Sequence, residues 1–211
     1  GWFFIPWIEL LTRVRSLRLP LTKKLHHKSP PSRDRFPTLN EFTDEIEAEG
    51  YEYVDDAGWE FGDMDQFFRI FYNPETKSQV TVCLNEQEHV AMAYVAITSR
   101  DQEGKIWRTW TYPFSRPMKV APQVRLNRVD QVNAFREMLE IHEAFLQRNR
   151  VIDSDLVEDD PEALHGLIEN ELSQQINHNL SRGIIVELAD EGMFKYSWRG
   201  LFFLWTQIVK D

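Results

Sequence analysis

Apolar positions along this chain follow a helical rhythm at both ends and an alternating one in the middle. Leu10, Val14, Leu17, Leu21 and Leu25 stand on one helix face, which predicts an amphipathic helix over 7–25, kinked or divided by Pro20. Residues 26–37, with three prolines and no apolar period, read as an extended linker. Thr38-Leu39-Asn40-Glu41 has the form of a capping box. Leu39, Phe42 and Ile46 supply a buried stripe behind it, and Gly50 stands where a left-handed residue ends the helix.

The alternating rhythm runs from about 51 to 126. Strands are predicted at Phe67–Tyr72, Gln79–Leu84, Val90–Ser99 and Lys105–Tyr112, and short turns between them favour antiparallel neighbours. Val80, Val82 and Leu84 share one face. Trp107, Thr109 and Thr111 oppose Ile106, Arg108, Trp110 and Tyr112, so both faces of the sheet carry aromatics and both ask to be covered. Beyond 130 the helical period returns. Asp130 is placed to cap a helix carrying Phe135, Met138, His142 and Phe145, and Asp160-Pro161 opens another that Arg182-Gly183 closes. Ile184–Leu188 and Met193–Ser197 read as a hairpin, and an apolar segment follows.

The class this implies is α+β: an antiparallel sheet of about four strands packed with helices, a helical segment and a C-terminal β-hairpin, preceded by an amphipathic membrane-associated arm. The expected parts are an arm at 1–25, a linker at 26–37, a soluble domain at 38–197 and an apolar segment at 198–211. Within the domain they are a helix at 38–50, a β-rich block at 51–126, a helical block at 130–182 and a hairpin at 184–197.

Charge sharpens the reading of the arm. Residues 1–36 hold eight basic and two acidic residues, a net +6, whereas the other 175 hold 16 basic and 32 acidic, a net −16. Arg13, Arg15, Arg18, Lys23 and Lys24 follow the aromatic residues Trp2, Phe3, Phe4 and Trp7. Aromatic rings beside cations suit the headgroup layer of an anionic bilayer, and basic residues after an apolar run mark the cytoplasmic side. The alternative is an arm packed on its own domain or on a partner subunit. No apolar run is long enough to span a bilayer, and a signal peptide would place its basic residues first. The C-terminal Phe202, Phe203 and Trp205 ask for the same apolar surroundings. Nucleic acid is not expected as a partner, because the acidic body offers phosphates no basic face.

Candidate chemistry is sparse. Cys83, the single cysteine, falls in a strand and reads as packing. Asp55, Asp56, Glu60, Asp63 and Asp65 lack the ligand order of a calcium loop and read as a solvated acidic loop. His26 and His27 read as solvated linker residues. Glu140 and His142 miss the Glu-x-x-His spacing, so His142 reads as a hydrogen-bonded core histidine. Neither a nucleophile elbow nor a glycine-rich phosphate loop is present in the sequence. The closing helix–helix–hairpin order is similar to a winged helix, but Glu162, Glu169 and Glu171 would repel phosphate from the recognition helix.

The layout of apolar-basic arm, acidic α+β body and Tyr196-Ser197-Trp198-Arg199-Gly200 before an apolar tail resembles bacterial membrane-anchored proteins of unassigned function. That resemblance carries over no functional residues. The expectation is a non-catalytic accessory subunit on the cytoplasmic face of a larger membrane complex, respiratory or photosynthetic, binding integral membrane subunits and anionic headgroups without metal or cofactor. A ligand-sensing domain with a pocket between the sheet and the helix carrying His142, and an enzyme of unrecognised type, are the alternatives.

Overall fold

The computed structural model describes residues 14, 17–87, 90–113, 117–130, 132–188 and 191–210. In chain order the elements are β1 (Leu19–Pro20), β2 (His26–His27), α1 (Leu39–Ala48), β3 (Glu52–Phe61), β4 (Met64–Asn73), β5 (Ser78–Gln87), β6 (Val90–Arg100), β7 (Ile106–Trp110), β8 (Val124–Arg128), α2 (Phe135–Arg148), α3 (Leu164–Ser181), β9 (Ile185–Leu188), β10 (Met193–Tyr196) and α4 (Trp198–Lys210). The chain is mixed α+β. It divides into a sheet unit, Leu25–Pro113 with Pro122–His165, and a terminal unit, Gly1–Lys24 with Phe114–Ala121 and Gly166–Asp211.

The sheet unit is built on seven strands in the order β2-β3-β4-β5-β6-β7-β8. Every neighbour is antiparallel except β7 and β8, which run parallel across a longer connection. Val80, Val82 and Leu84 of β5 join Phe67, Phe71, Val95 and Ile97 in one core with Leu39 and Ile46 of α1 and Phe135 and Met138 of α2. The opposite face is buried too, through Ile70, Thr81, Cys83, Ala96 and Thr98.

Seven strands replace the expected four. Glu52–Phe61 is a full strand although Asp55, Asp56 and Glu60 read as part of a solvated acidic loop. Its charges are neutralised across the sheet: Arg69 donates to both Asp56 carboxylate oxygens, at 2.9 and 3.0 Å, and to Thr43 Oγ1 of α1 at 3.1 Å. Gly58 is needed for close approach, because a Cβ there would meet the Gln66 carbonyl oxygen at 2.1 Å. The segment read as a linker also pairs: His26 and His27 lie against Gly58 and Ala57, and Leu25 and Phe36 are buried.

Two of the expected helix starts are made differently. Thr38 makes no side-chain cap, so the capping box at 38–41 is absent. Asp130 does not cap α2, which begins at Phe135 and takes a carboxylate from the other helix: Glu45 Oε2 accepts the Phe135 amide at 3.1 Å. Gly50, at φ +91°, ends α1 as expected. Asp160 accepts the Glu162 amide at 3.0 Å at the head of the 3-10 turn Pro161–Ala163, which leads into α3.

The terminal unit contains a three-stranded sheet in the order β1-β10-β9. The expected hairpin is present, and Leu19–Pro20 is added to it opposite Phe194 and Met193. This overturns the helix predicted over 7–25 in its C-terminal half, where Leu19 and Pro20 are extended and the Leu21 amide donates to the Gly192 carbonyl at 3.0 Å. Proline suits a short edge strand, since its missing N–H breaks no ladder. Leu19 and Leu21 pack against the core of Ile176, Ile184, Ile185, Phe194, Tyr196 and Leu201. Residues 1–13 of the expected arm lie outside the described residues.

Candidate functional site

The sequence places a pocket between the sheet and the helix carrying His142; His142 itself is buried, and the cavity found there is lined by Phe135 and Met138 of that helix and not by His142. The ring is 4% exposed and lies within hydrogen-bonding distance of Ser99 Oγ, 2.9 Å from Nε2, and Thr109 Oγ1, 2.7 Å from Nδ1. It ties α2 to β6 and β7. Burial pulls its pKa from 6.5 to about 4. The unfolded chain therefore takes up this proton below pH 6.5 while the folded one stays neutral. Stability is fully present above 6.5 and falls as pH drops towards 4, by at most about 1.4 kcal/mol per pH unit. In His142→Gln, urea unfolding between pH 6.5 and 5 is expected to show a shallower pH slope than the wild type. An unchanged slope would refute this role.

Of the acidic residues read as a solvated loop, Asp63 is exposed in the β3–β4 turn, but Asp55, Asp56, Glu60 and Asp65 lie in strands and are paired. His165 Nε2 lies 2.9 Å and His27 Nδ1 3.2 Å from the two oxygens of Asp55. Glu60 accepts from Lys28 and stands 2.8 Å from His26 Nε2, and Lys28 reaches Asp65 at 2.7 Å. The hydrogen bonds from Lys28 and His26 hold the Glu60 carboxyl below its usual range. Bonding to the His27 carbonyl and to Glu60 raises His26. A cavity of about 480 Å3 lies beside Asp55, Tyr72, Asp159 and His165. Among the described residues no group of three or more His, Cys, Asp or Glu side chains is arranged to hold a metal ion. Cys83 is buried, and burial pushes its thiol up to about 12, leaving no thiolate at neutral pH. The larger cavity, about 530 Å3, lies between α1, the start of α2 and the sheet.

The terminal unit presents a different surface. Ser197 caps α4, its Oγ accepting the Gly200 amide at 3.0 Å and donating to the Gly183 carbonyl. Gly200 lets the helix lie directly on the chain at Ile184, where a Cβ would come within 1.9 Å of the carbonyl oxygen. Tyr196 OH donates to the Pro117 carbonyl at 2.8 Å. The stretch Tyr196–Gly200 is therefore a helix-docking device, a role its sequence did not reveal.

This device fixes which side of α4 is outward. Leu201 is buried, and Phe203, Leu204 and Trp205 are partly buried against the core. Trp198 is 56%, Phe202 57% and Ile208 42% exposed. Phe202 and Trp205 touch at 5.7 Å between ring centres, and Lys119 Nζ sits 5.8 Å above Phe203. Of the expected docking residues, Phe202 is thus outward, Trp205 lies at the edge and Phe203 faces the core. Trp198 was not among them, and its place at the first position of a capped helix is the signal for it.

The basic residues of the arm separate in the same way. Lys24 is exposed. Arg18 makes an exposed ion pair with Glu191 at 3.1 Å. Lys23 is half-buried, and desolvation pulls its ammonium down to about 8. Trp2, Phe3, Phe4, Trp7, Arg13 and Arg15 lie outside the described residues. No helix among the described residues is long and apolar enough to cross a membrane. No family model, no curated protein and no solved structure matches this chain.

Proposed function

We propose that this protein is a non-catalytic accessory subunit that attaches to the cytoplasmic face of a larger membrane complex through its aromatic termini. The observation that carries the reading is the outward pair Trp198 and Phe202, one turn apart on α4 and 56% and 57% exposed. Leu201, Leu204 and Trp205 turn to a core, and the Phe202 ring stands outside it. Aromatic residues at half exposure are the composition of a docking surface, and an amphipathic ring with one N–H also suits the headgroup layer. Integral membrane subunits are the proposed partners. Anionic headgroups are contacted by the basic residues of the arm, with Lys24 exposed for that purpose and Arg18 shared with Glu191. A respiratory or photosynthetic complex is a fitting host.

Membrane fractionation tests this. The double variant Trp198→Ser/Phe202→Ser is expected to move mostly to the soluble fraction with its circular dichroism unchanged. Deleting residues 1–16, which stops short of the β1 strand, is expected to weaken attachment further. If both proteins fractionate as the wild type does, the proposal fails.

A further inference from the structure

The 530 Å3 groove of the sheet unit lies open along α1, with Leu39, Val82, Leu84, Val95 and Met138 lining it. Its volume falls within the range of about 300–1,000 Å3 typical of preformed binding sites. The stripe of α1 is wider than the core beneath it. Leu39 and Ile46 are 7% and 0% exposed, but Phe42, between them, is 36% exposed and turns to the groove.

The charge around this apolar floor has one sign. α1 carries Glu41, Asp44, Glu45 and Glu47 and no basic residue. Glu41, Glu45 and Asp130 line the groove, and no Lys or Arg does so among the described residues. Glu45 already holds the first amide of α2, so Glu41 and Asp130 are the carboxylates placed for recognition. A one-signed rim around an apolar floor selects a partner of opposite charge and rejects an acidic one.

We propose that this groove takes the apolar face of a basic amphipathic helix carried by a partner protein. The ten residues of α1 make a wall about 15 Å long, which matches two to three turns of a second helix. Apolar residues at i, i+3, i+4 and i+7 enter between α1 and the sheet, beside Phe42 and Leu84, and lysines or arginines on the flanks meet Glu41 and Asp130. The site belongs to the sheet unit and does not depend on the docking role of α4.

The test uses the full-length chain and fluorescein-labelled synthetic peptides of about 14 residues, long enough to form a helix on binding. One combines leucine at the four anchor positions with lysine elsewhere, and its twin carries glutamate for lysine. The lysine peptide is expected to bind with a salt-dependent anisotropy change, and the glutamate peptide is not. Glu41→Lys and Phe42→Ser are each expected to weaken binding about tenfold. Should either variant lose its circular dichroism, Ala93→Arg gives the same reading from the strand side of the groove. Equal binding of the twin peptides, or full binding to the variants, overturns the proposal. Displacement of the lysine peptide by dodecyltrimethylammonium at an equal concentration overturns it in favour of a small-amphiphile site.

Discussion

An Asp56→Ala variant is expected to lose about 3–5 kcal/mol of folding stability. Asp56 and Arg69 are directly opposite on β3 and β4, with side chains 9% and 12% exposed. Their two hydrogen bonds neutralise a charge that the surrounding core cannot solvate. Asp56 and the other charges nearby hold the Arg69 guanidinium even more firmly protonated than usual, with its hydrogen bonds to Asp56 the largest cause. Alanine therefore leaves a cation that can neither lose its proton nor turn fully to water. Thr43 ties the same guanidinium to α1, so the loss reaches the helix as well as the hairpin. Replacing the pair by Asp56→Leu with Arg69→Met removes both charges together and is expected to cost far less than the single change. Urea unfolding followed by tryptophan fluorescence measures both. A single-variant loss below about 1 kcal/mol would show that the pair is solvated rather than buried.

Gly200→Ala is the second large effect, and it arises from one methyl group. The added carbon would sit 1.9 Å from the Ile184 carbonyl oxygen and 3.1 Å from the Tyr196 ring. Neither neighbour moves cheaply. The carbonyl also accepts the Ser197 amide at 3.1 Å, and Tyr196 is held by Pro117. The helix must lift off the hairpin, and Leu201 must leave its buried seat with it. A loss at or above the usual upper end of about 3 kcal/mol for overpacking is expected, read as a lowered thermal midpoint. Gly166, with open space around its Cβ position, is the control: Gly166→Ala is expected to raise helix stability by up to about 1 kcal/mol. If Gly200→Ala melts as the wild type does, α4 does not lie where it is described.

What the sequence revealed and what it hid divides along the range of the interactions. The stripes of α1 and α2, the alternation of β4 to β7, the hairpin and the Asp160-Pro161 start are local patterns, and each became an element close to its expected bounds. β3 was hidden because its two aspartates and glycine are unfavourable in a strand taken alone. The partners Arg69, His27 and His165, supplied by other segments, make the aspartates acceptable. The start of α2 was misread for the same reason, since Glu45 does from another helix what Asp130 was expected to do locally. Leu21 belongs to the helical stripe read over 7–25, yet a hairpin far along the chain offers it and Leu19 an edge and a core. For the site, the apolar character of residues 201–209 was plain in the sequence. Which side of that helix faces out depends on Gly200, whose contact is invisible until the helix is docked.

The β1–β10 pairing also sets a timetable. Leu19 leaves the ribosome long before the strand it joins, which contains Phe194. Leu25–Pro113, by contrast, holds six of the seven strands of its sheet in an unbroken run of near-neighbour pairings. During synthesis the sheet unit can assemble while the segment around Leu19 still lacks its partner strand. For that interval the apolar side chains of Leu19 and Leu21 lack the core they later pack against, and other surroundings of the nascent chain reach them before the protein's own hairpin does.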